Sequence, residues 1–306
     1  MTLSVKTPST KKILIVSFLV NILDVVTNLI VYLLTRSATI FSVLMQGVAD
    51  LVTSIFLLIG VSSSKRPAES SYPFGHGKES FFWSLMATIF MFGVSSSLSI
   101  VIGFNQLTSP REITEVSIAL FISLISLITN AYTLLLSIAK ISHKGISFLE
   151  SFNKSTRTAV KTSFISDLIG TLSAVIGIIS LTAYMITKNP LFDALGAIFI
   201  GITLAGLSLF LFWEIKSYLV GRAVSPELQN KIIRIVENVK GVIEVVDINT
   251  MHIGPTEILV NVEVNLDNFL VTDDIEKIMD KIRENIRKEI PAVTHIQIEV
   301  ESPNIL

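Results

Sequence analysis

The chain has 306 residues, half of them hydrophobic and only 16% charged, with a net charge of −1 and a mean hydropathy of +0.67. A balance this close to neutral excludes the broad basic field that nucleic-acid binding requires. The absence of cysteine excludes disulfides, thiolate metal sites and cysteine catalysis, and the four histidines, His76, His143, His252 and His295, are too scattered for a His-rich metal tract.

The opening stretch M-T-L-S-V-K-T-P-S-T is not a cleavable signal, and the apolar run from Ile13 is too long for a signal h-region, so it reads as a first membrane helix. A helix that crosses the hydrocarbon core needs about 20 apolar residues. Six segments meet this: 13–34, 38–61, 80–104, 113–139, 160–187 and 191–213. Positive charge is concentrated at one end of them. Lys11 and Lys12 precede the first span, and Lys65, Arg66 and Lys78 lie between the second and third. Lys140, Lys144, Lys154, Arg157 and Lys161 lie between the fourth and fifth, and Lys216 and Arg222 follow the sixth. The opposite connections hold only Arg36, Arg111 and Lys188. The positive-inside rule then places both termini in the cytoplasm, and His143 with the basic connection around it at the cytoplasmic headgroups.

The pattern changes after Val224. Ser225-Pro226-Glu227 is a helix start, followed by Ile232, Val236 and Val239 at helical spacing and a stop at Gly241. Val242–His252 is strand-like, Gly254-Pro255-Thr256 is a turn, and 257–266 alternates with Ile258, Val260, Val262, Val264 and Leu266 on one face. Thr272-Asp273-Asp274 is expected to cap a second helix with the stripe Ile275, Ile278, Met279, Ile282 and Ile286. A last strand, 293–301, is expected to bury Ile296, Ile298 and Val300 and to expose His295, Gln297 and Glu299. The order α-β-β-α-β describes a small ferredoxin-like domain. The expected architecture is therefore an all-α six-helix transmembrane bundle over residues 1–222, plus a C-terminal α+β cytoplasmic domain over residues 223–306.

An ionised aspartate at mid-bilayer costs at least ~2.5–3.5 kcal/mol, so each one needs a partner, a wet cavity or a cation. Asp50 in the second span and Asp167 in the fifth each have an oxygen-bearing residue four positions earlier, Gln46 and Ser163. That spacing puts both side chains on one helix face. If the two helices touch, two carboxylates, an amide and a hydroxyl converge into an oxygen site for a divalent cation. The alternative is a polar helix–helix contact. Asp24, flanked by Asn21 and Asn28, is expected to line the cavity or bind the sixth helix rather than ligate metal, and Asn130 in the fourth is similar. Asp193 is expected to interact with the N–H groups of a helix first turn. Ser95, Ser96, Ser97 and Ser99, with Gly93 and Gly103, suggest close helix packing. His252 and His295 read as solvated polar positions. No nucleophile–base pair, phosphate loop or His-Glu cluster points to an enzyme.

These residues resemble the cation diffusion facilitators. The resemblance runs through S-V-L-M-Q-G-V-A-D-L, the connection R-P-A-E-S-S-Y-P-F-G-H-G-K-E-S, S-F-I-S-D-L-I-G-T and N-P-L-F-D-A-L-G-A. It implies a homodimer, joined through the C-terminal domain, that moves divalent metal out of the cytoplasm in exchange for protons. The metal is cargo, and no resident cofactor is implied. Family members carry His or Asp where this chain has Gln46, and His where it has Ser163; Asp50 and Asp167 match. Two imidazoles favour zinc, whereas an all-oxygen set leans toward harder ions such as manganese. A divergent zinc-transporter branch, including a mitochondrial member in animals, also lacks the second histidine. Glu69 and His76 fall where some relatives hold a second metal site. The replaced ligands leave open a non-transporting partner subunit. Isoleucine enrichment and short loops point to a prokaryotic plasma membrane.

Overall fold

The computed structural model describes residues 10–142, 147–154, 156, 158–267 and 269–301. The expectations for the N-terminal nine residues, His143, Lys144 and Arg157 lie outside them.

Six helices are long and apolar enough to cross a membrane. They are α1 (Thr10–Thr35), α2 (Ala38–Ser63), α3 (Glu79–Thr108), α4 (Val116–Ile141), α6 (Thr158–Thr187) and α7 (Leu191–Val220). A short helix, α5 (Phe148–Lys154), precedes α6. Sequence periodicity places five spans within a few residues, ends the sixth seven residues early, so that Lys216 falls inside α7, and misses two features. One is α5. The other is a π-helical segment, Met91–Ser96, inside α3. Burial separates inner from outer helices: 56% of the α2 span and 50% of the α6 span are buried, against 17% in α1 and α4. The outer helices turn Leu23, Leu33, Ile128 and Leu135 outward, as lipid-facing surfaces require.

Helices pack closely where side chains are small. An added Cβ at Gly103 of α3 would lie 2.6 Å from Ile198 Cγ1 and 3.0 Å from the Ala194 carbonyl oxygen of α7. Gly93 has nothing within 4 Å, so the expectation of close packing fails there. Lys161, counted with the basic loop by sequence, is instead fully buried in α6. Its Nζ lies 2.5 Å from Glu214 Oε1 of α7 and 4.9 Å from the Phe152 ring centroid.

At one end of the bundle the links are short. Residues 36–37 join α1 to α2 and residues 188–190 join α6 to α7. Arg36, Glu115 and Lys188, one in each link at this end, have φ values of 55°, 48° and 59°, a left-handed conformation that non-glycine residues adopt at a cost. Three hydrogen bonds tie the links together. Thr114 N–H donates to the Thr35 carbonyl (3.2 Å), the Thr114 hydroxyl to the Leu34 carbonyl (2.6 Å), and Ile113 N–H to the Tyr184 hydroxyl (2.9 Å). Asp193, at the start of α7, accepts from Ser37 Oγ (2.5 Å), Ala38 N–H (2.8 Å) and Thr39 N–H (3.0 Å). The N–H groups it meets are thus those of α2, not of its own helix.

The chain divides into two compact units, one of residues 1–63 and 80–216, the other of residues 64–79 and 217–306. The second contains α8 (Pro226–Glu237), β1 (Val242–Gly254), β2 (Glu257–Leu266), α9 (Thr272–Glu289) and β3 (Val293–Glu301). β2 is central, antiparallel to β1 and parallel to β3. Ile258, Val260, Val262, Val264 and Leu266 are buried as the alternation predicts, under Ile232 and Val236 of α8 and Ile282 and Ile286 of α9. Ser225 caps α8 by accepting from Leu228 N–H. The α9 cap is different from the expected one: Val271 is the N-cap, no side chain closes it, and Asp274 N–H donates to the Val271 carbonyl. In β3 Ile298 is buried, Ile296 half-buried and Val300 44% exposed. The strand lies at the sheet edge, beyond full cover of the helix layer.

Candidate metal site

The middle of α2 carries Asp50, the second turn of α6 carries Ser163 and its third turn Asp167, and the two helices pack together. A cavity in the transmembrane unit is lined by Asp50, Ser163, Ser166 and Asp167, by Thr53 and Ser54 of α2, by Asn21 and Asp24 of α1, and by Asn130 and Thr133 of α4. Three of the four residues singled out by spacing therefore share one cavity. Gln46 is not part of its lining.

Asp50 is buried and its two oxygens are separately partnered. Ser166 Oγ donates to Oδ1 and Gln46 Nε2 to Oδ2. Gln46 thus presents its amide N–H to the carboxylate and acts as a donor that holds Asp50, not as an oxygen ligand. Gly170 of α6 makes room for this: an added Cβ would lie 3.1 Å from Gln46 Nε2 and would overlap the Asn130 amide. Asp167 Oδ2 accepts from Ser137 of α4. Sequence spacing misses Ser137, an isolated serine in an apolar helix. Ser166 had a signal, since it sits inside S-F-I-S-D between the two residues of the motif.

The lining is made of oxygen and amide groups plus apolar side chains, with no lysine, arginine or histidine. Carboxylates in such a space hold a cation or a proton, and the Lys140 ammonium of α4 acts on Asp167 from outside the lining. Thr53 Oγ1 is buried without a hydrogen-bond partner among the described residues and faces the same cavity. Among the described residues, no three acidic or histidine side chains gather closely enough to hold a metal ion by themselves. A cation here would complete its shell from neutral oxygens and water.

Asp24 lines the cavity, but the helix it bonds is the fourth span, α4, and not the expected sixth. Its Oδ1 accepts from Ser126 Oγ of α4 (3.2 Å). Its Oδ2 lies over Gly47, where an added Cβ would be 2.9 Å away. The glycine three residues before Asp50 therefore admits the α1 carboxylate to the surface of α2.

The second candidate pair is brought together in the 64–79 segment. His76 Nε2 lies 3.4 Å from Glu69 Oε1, and the Tyr72 ring packs 4.4 Å from the imidazole. A backbone bridge between Glu69 and Tyr72 shapes the turn. His252 is not solvated. It is buried against Tyr218, with ring centroids 5.7 Å apart. Burial, and secondarily the Arg222 guanidinium, hold its imidazole below the ordinary histidine range. His295 is half-buried, with Nδ1 3.1 Å from Thr294 Oγ1 and its ring edge-on to Phe74.

Residues 14–220 match the family model described as the cation efflux transmembrane domain, and residues 224–303 match the cation efflux protein cytoplasmic domain. The proton-coupled zinc antiporter SLC30A9, mitochondrial, of Xenopus laevis is 26% identical over 89% of this chain. The chain spans about half the length of that relative, 51%. The cation-efflux pump FieF of Pectobacterium atrosepticum is 25% identical over 84% of this chain and 81% of its own. A solved variant of the MamM C-terminal domain aligns at 19% identity over 26% of this chain and 94% of that one, with a TM-score of 0.24. With six spans, a C-terminal α+β domain and family matches over both, the chain is an integral membrane protein that belongs to the cation efflux, or cation diffusion facilitator, family.

Proposed function

We propose that the chain exports a divalent metal cation from the cytoplasm in exchange for protons, working as a homodimer joined through its C-terminal domain. The observation that carries this is the cavity in which Asp50 and Asp167, from two packed helices, face one space without a basic residue. The cargo is Zn²⁺ or Mn²⁺. The names of the relatives support zinc; the oxygen-rich lining supports the harder ion. Both termini lie in the cytoplasm by the positive-inside rule, and the membrane is a prokaryotic plasma membrane. The Glu69–His76 pair is a candidate second metal position with two protein ligands.

The test is uptake of Zn²⁺ and Mn²⁺ into proteoliposomes by wild type, Asp50→Ala and Asp167→Ala. Uptake by wild type that disappears in both variants supports the reading, and the faster ion identifies the cargo. Robust transport by Asp50→Ala would defeat the site assignment. A second reading, a non-transporting partner subunit, draws on the hydrogen bonds that Gln46 and Ser166 already give Asp50. It requires that folded wild type bind no metal and purify with another subunit.

A further inference from the structure

The cavity ends at Asp24, but the polar groups do not. On α1, one turn beyond Asp24 toward the short-link end, Asn28 is 1% exposed and its Oδ1 is buried with no hydrogen-bond partner among the described residues. Its Nδ2 donates to the Asp24 carbonyl (2.9 Å). On α4, Ser123 is 2% exposed and its Oγ is likewise orphaned. The register between these helices brings the two orphans to one level. Asp24 is bonded to Ser126, and Val31 packs in one cluster with Ala119. Stepping up α1 by four residues and back along α4 by three places Asn28 opposite Ser123. Ser123 also borders α6: an added Cβ at Gly177 would be 4.0 Å from its Oγ.

Leaving a buried oxygen unsatisfied is unfavourable, and helix hydroxyls ordinarily avoid it by bonding back to their own helix. Thr27, Thr129, Thr171 and Thr203 here all donate to the carbonyl four residues earlier. Ser123 does not. Two such oxygens at one level, one turn beyond a carboxylate and outside the cavity lining, need something to meet.

Building on the transport reading above, we propose that Asp24, Asn28 and Ser123 form a second station for the cation, on the exit side of Asp50 and Asp167. A carboxylate, an amide oxygen and a hydroxyl would receive a partly hydrated hard divalent ion as it leaves. One carboxylate with two neutral oxygens holds such an ion weakly, as a station on an exit path must. The station adds an α1–α4 element to a site otherwise built on α2 and α6.

The test uses the full chain and two readouts: equilibrium Mn²⁺ binding in detergent, and Mn²⁺ transport in proteoliposomes. Ser123→Ala, outside the cavity lining, should bind Mn²⁺ within twofold of wild type. Asp24→Asn should transport at least tenfold more slowly, and Ser123→Ala at least threefold more slowly. Ser123→Ala should also melt at or above the wild-type temperature, because it removes an unsatisfied group. A merely structural serine would not slow transport while keeping stability. Wild-type transport rates in both variants would overturn the station, as would loss of equilibrium binding in Ser123→Ala, which would place that serine at the first site. If Asp50→Ala itself transports, the transport site is misassigned and the station falls with it. A wild type that neither binds nor transports overturns both readings.

Discussion

Asp193 is the most consequential buried acid outside the cavity, and its removal has a calculable cost. Its carboxylate accepts from one hydroxyl and two consecutive N–H groups at the start of α2, and it is fully buried. At an exposed N-cap, loss of the acceptor would cost about 1 kcal/mol. Here the donors have no water to turn to. Breaking a buried charge network costs about 3–5 kcal/mol, and leaving two N–H groups unsatisfied at about 1–3 kcal/mol each gives a similar figure. Asp193→Ala should therefore lose about 4 kcal/mol. At roughly 2–4 °C per kcal/mol, the thermal midpoint of the detergent-solubilised full chain should fall by about 8–16 °C. Asp193→Asn, which keeps an acceptor oxygen but turns an N–H₂ toward a donor, should fall in between. Tryptophan fluorescence from Trp83 and Trp213 can follow the melt. A midpoint within 2 °C of wild type for Asp193→Ala would refute the argument, because it would mean that water or a neighbouring group satisfies the α2 start. Asp50 lies twelve residues further along α2, about 18 Å, so metal binding should suffer less than stability.

Three further outcomes follow from packing and charge. Lys161→Met removes the buried ammonium beside Glu214 and should cost about 3 kcal/mol, and adding Glu214→Leu should restore part of it; a double variant as unstable as the single one would show that the pair is not the cause. Gly103→Val drives a side chain into Ile198 and the Ala194 carbonyl and should cost about 1–3 kcal/mol, whereas Gly93→Ala, with open space around it, should leave the melt unchanged or raise it by up to about 1 kcal/mol. His252 binds its proton less readily folded than unfolded, so its contribution to stability is complete above the ordinary histidine value of about 6.5 and declines as pH falls below it. Urea midpoints at pH 7.5 and 5.5 should show this loss, and His252→Phe should shrink it; an unchanged pH difference would assign the effect elsewhere.

The spans were legible in the sequence because a bilayer demands long apolar runs, and the strand β2 because one face is buried and the other is not. Asp50 and Asp167 stood out for the same reason: charge is conspicuous in such runs. What escaped were pairings made across the bundle. Nothing in N-P-L-F-D shows that Asp193 reaches the start of α2, and nothing near Ser137 shows Asp167. Gln46 is legible as a neighbour of Asp50, but which end of its amide meets the carboxylate is not, since spacing fixes proximity and not orientation. His252 looked solvated because β1 lacks a clean alternation; its burial depends on Tyr218, thirty-four residues away.

The short-link end has a mechanical consequence. The α1–α2 and α6–α7 corners are taut, so these two pairs are hairpins that cannot lengthen at their tips, while residues 109–115 join α3 to α4. Cargo leaving there must part the hairpins as whole pieces, and the Ile113–Thr114 bonds to Thr35, Leu34 and Tyr184 stitch those pieces together. At about 1 kcal/mol net for each, the three stitches bias the bundle toward closure by about 3 kcal/mol, roughly a hundredfold in population. Cutting one of them with Thr114→Val should raise amide hydrogen exchange in residues 109–115 several-fold; unchanged exchange would mean that the seam is held elsewhere.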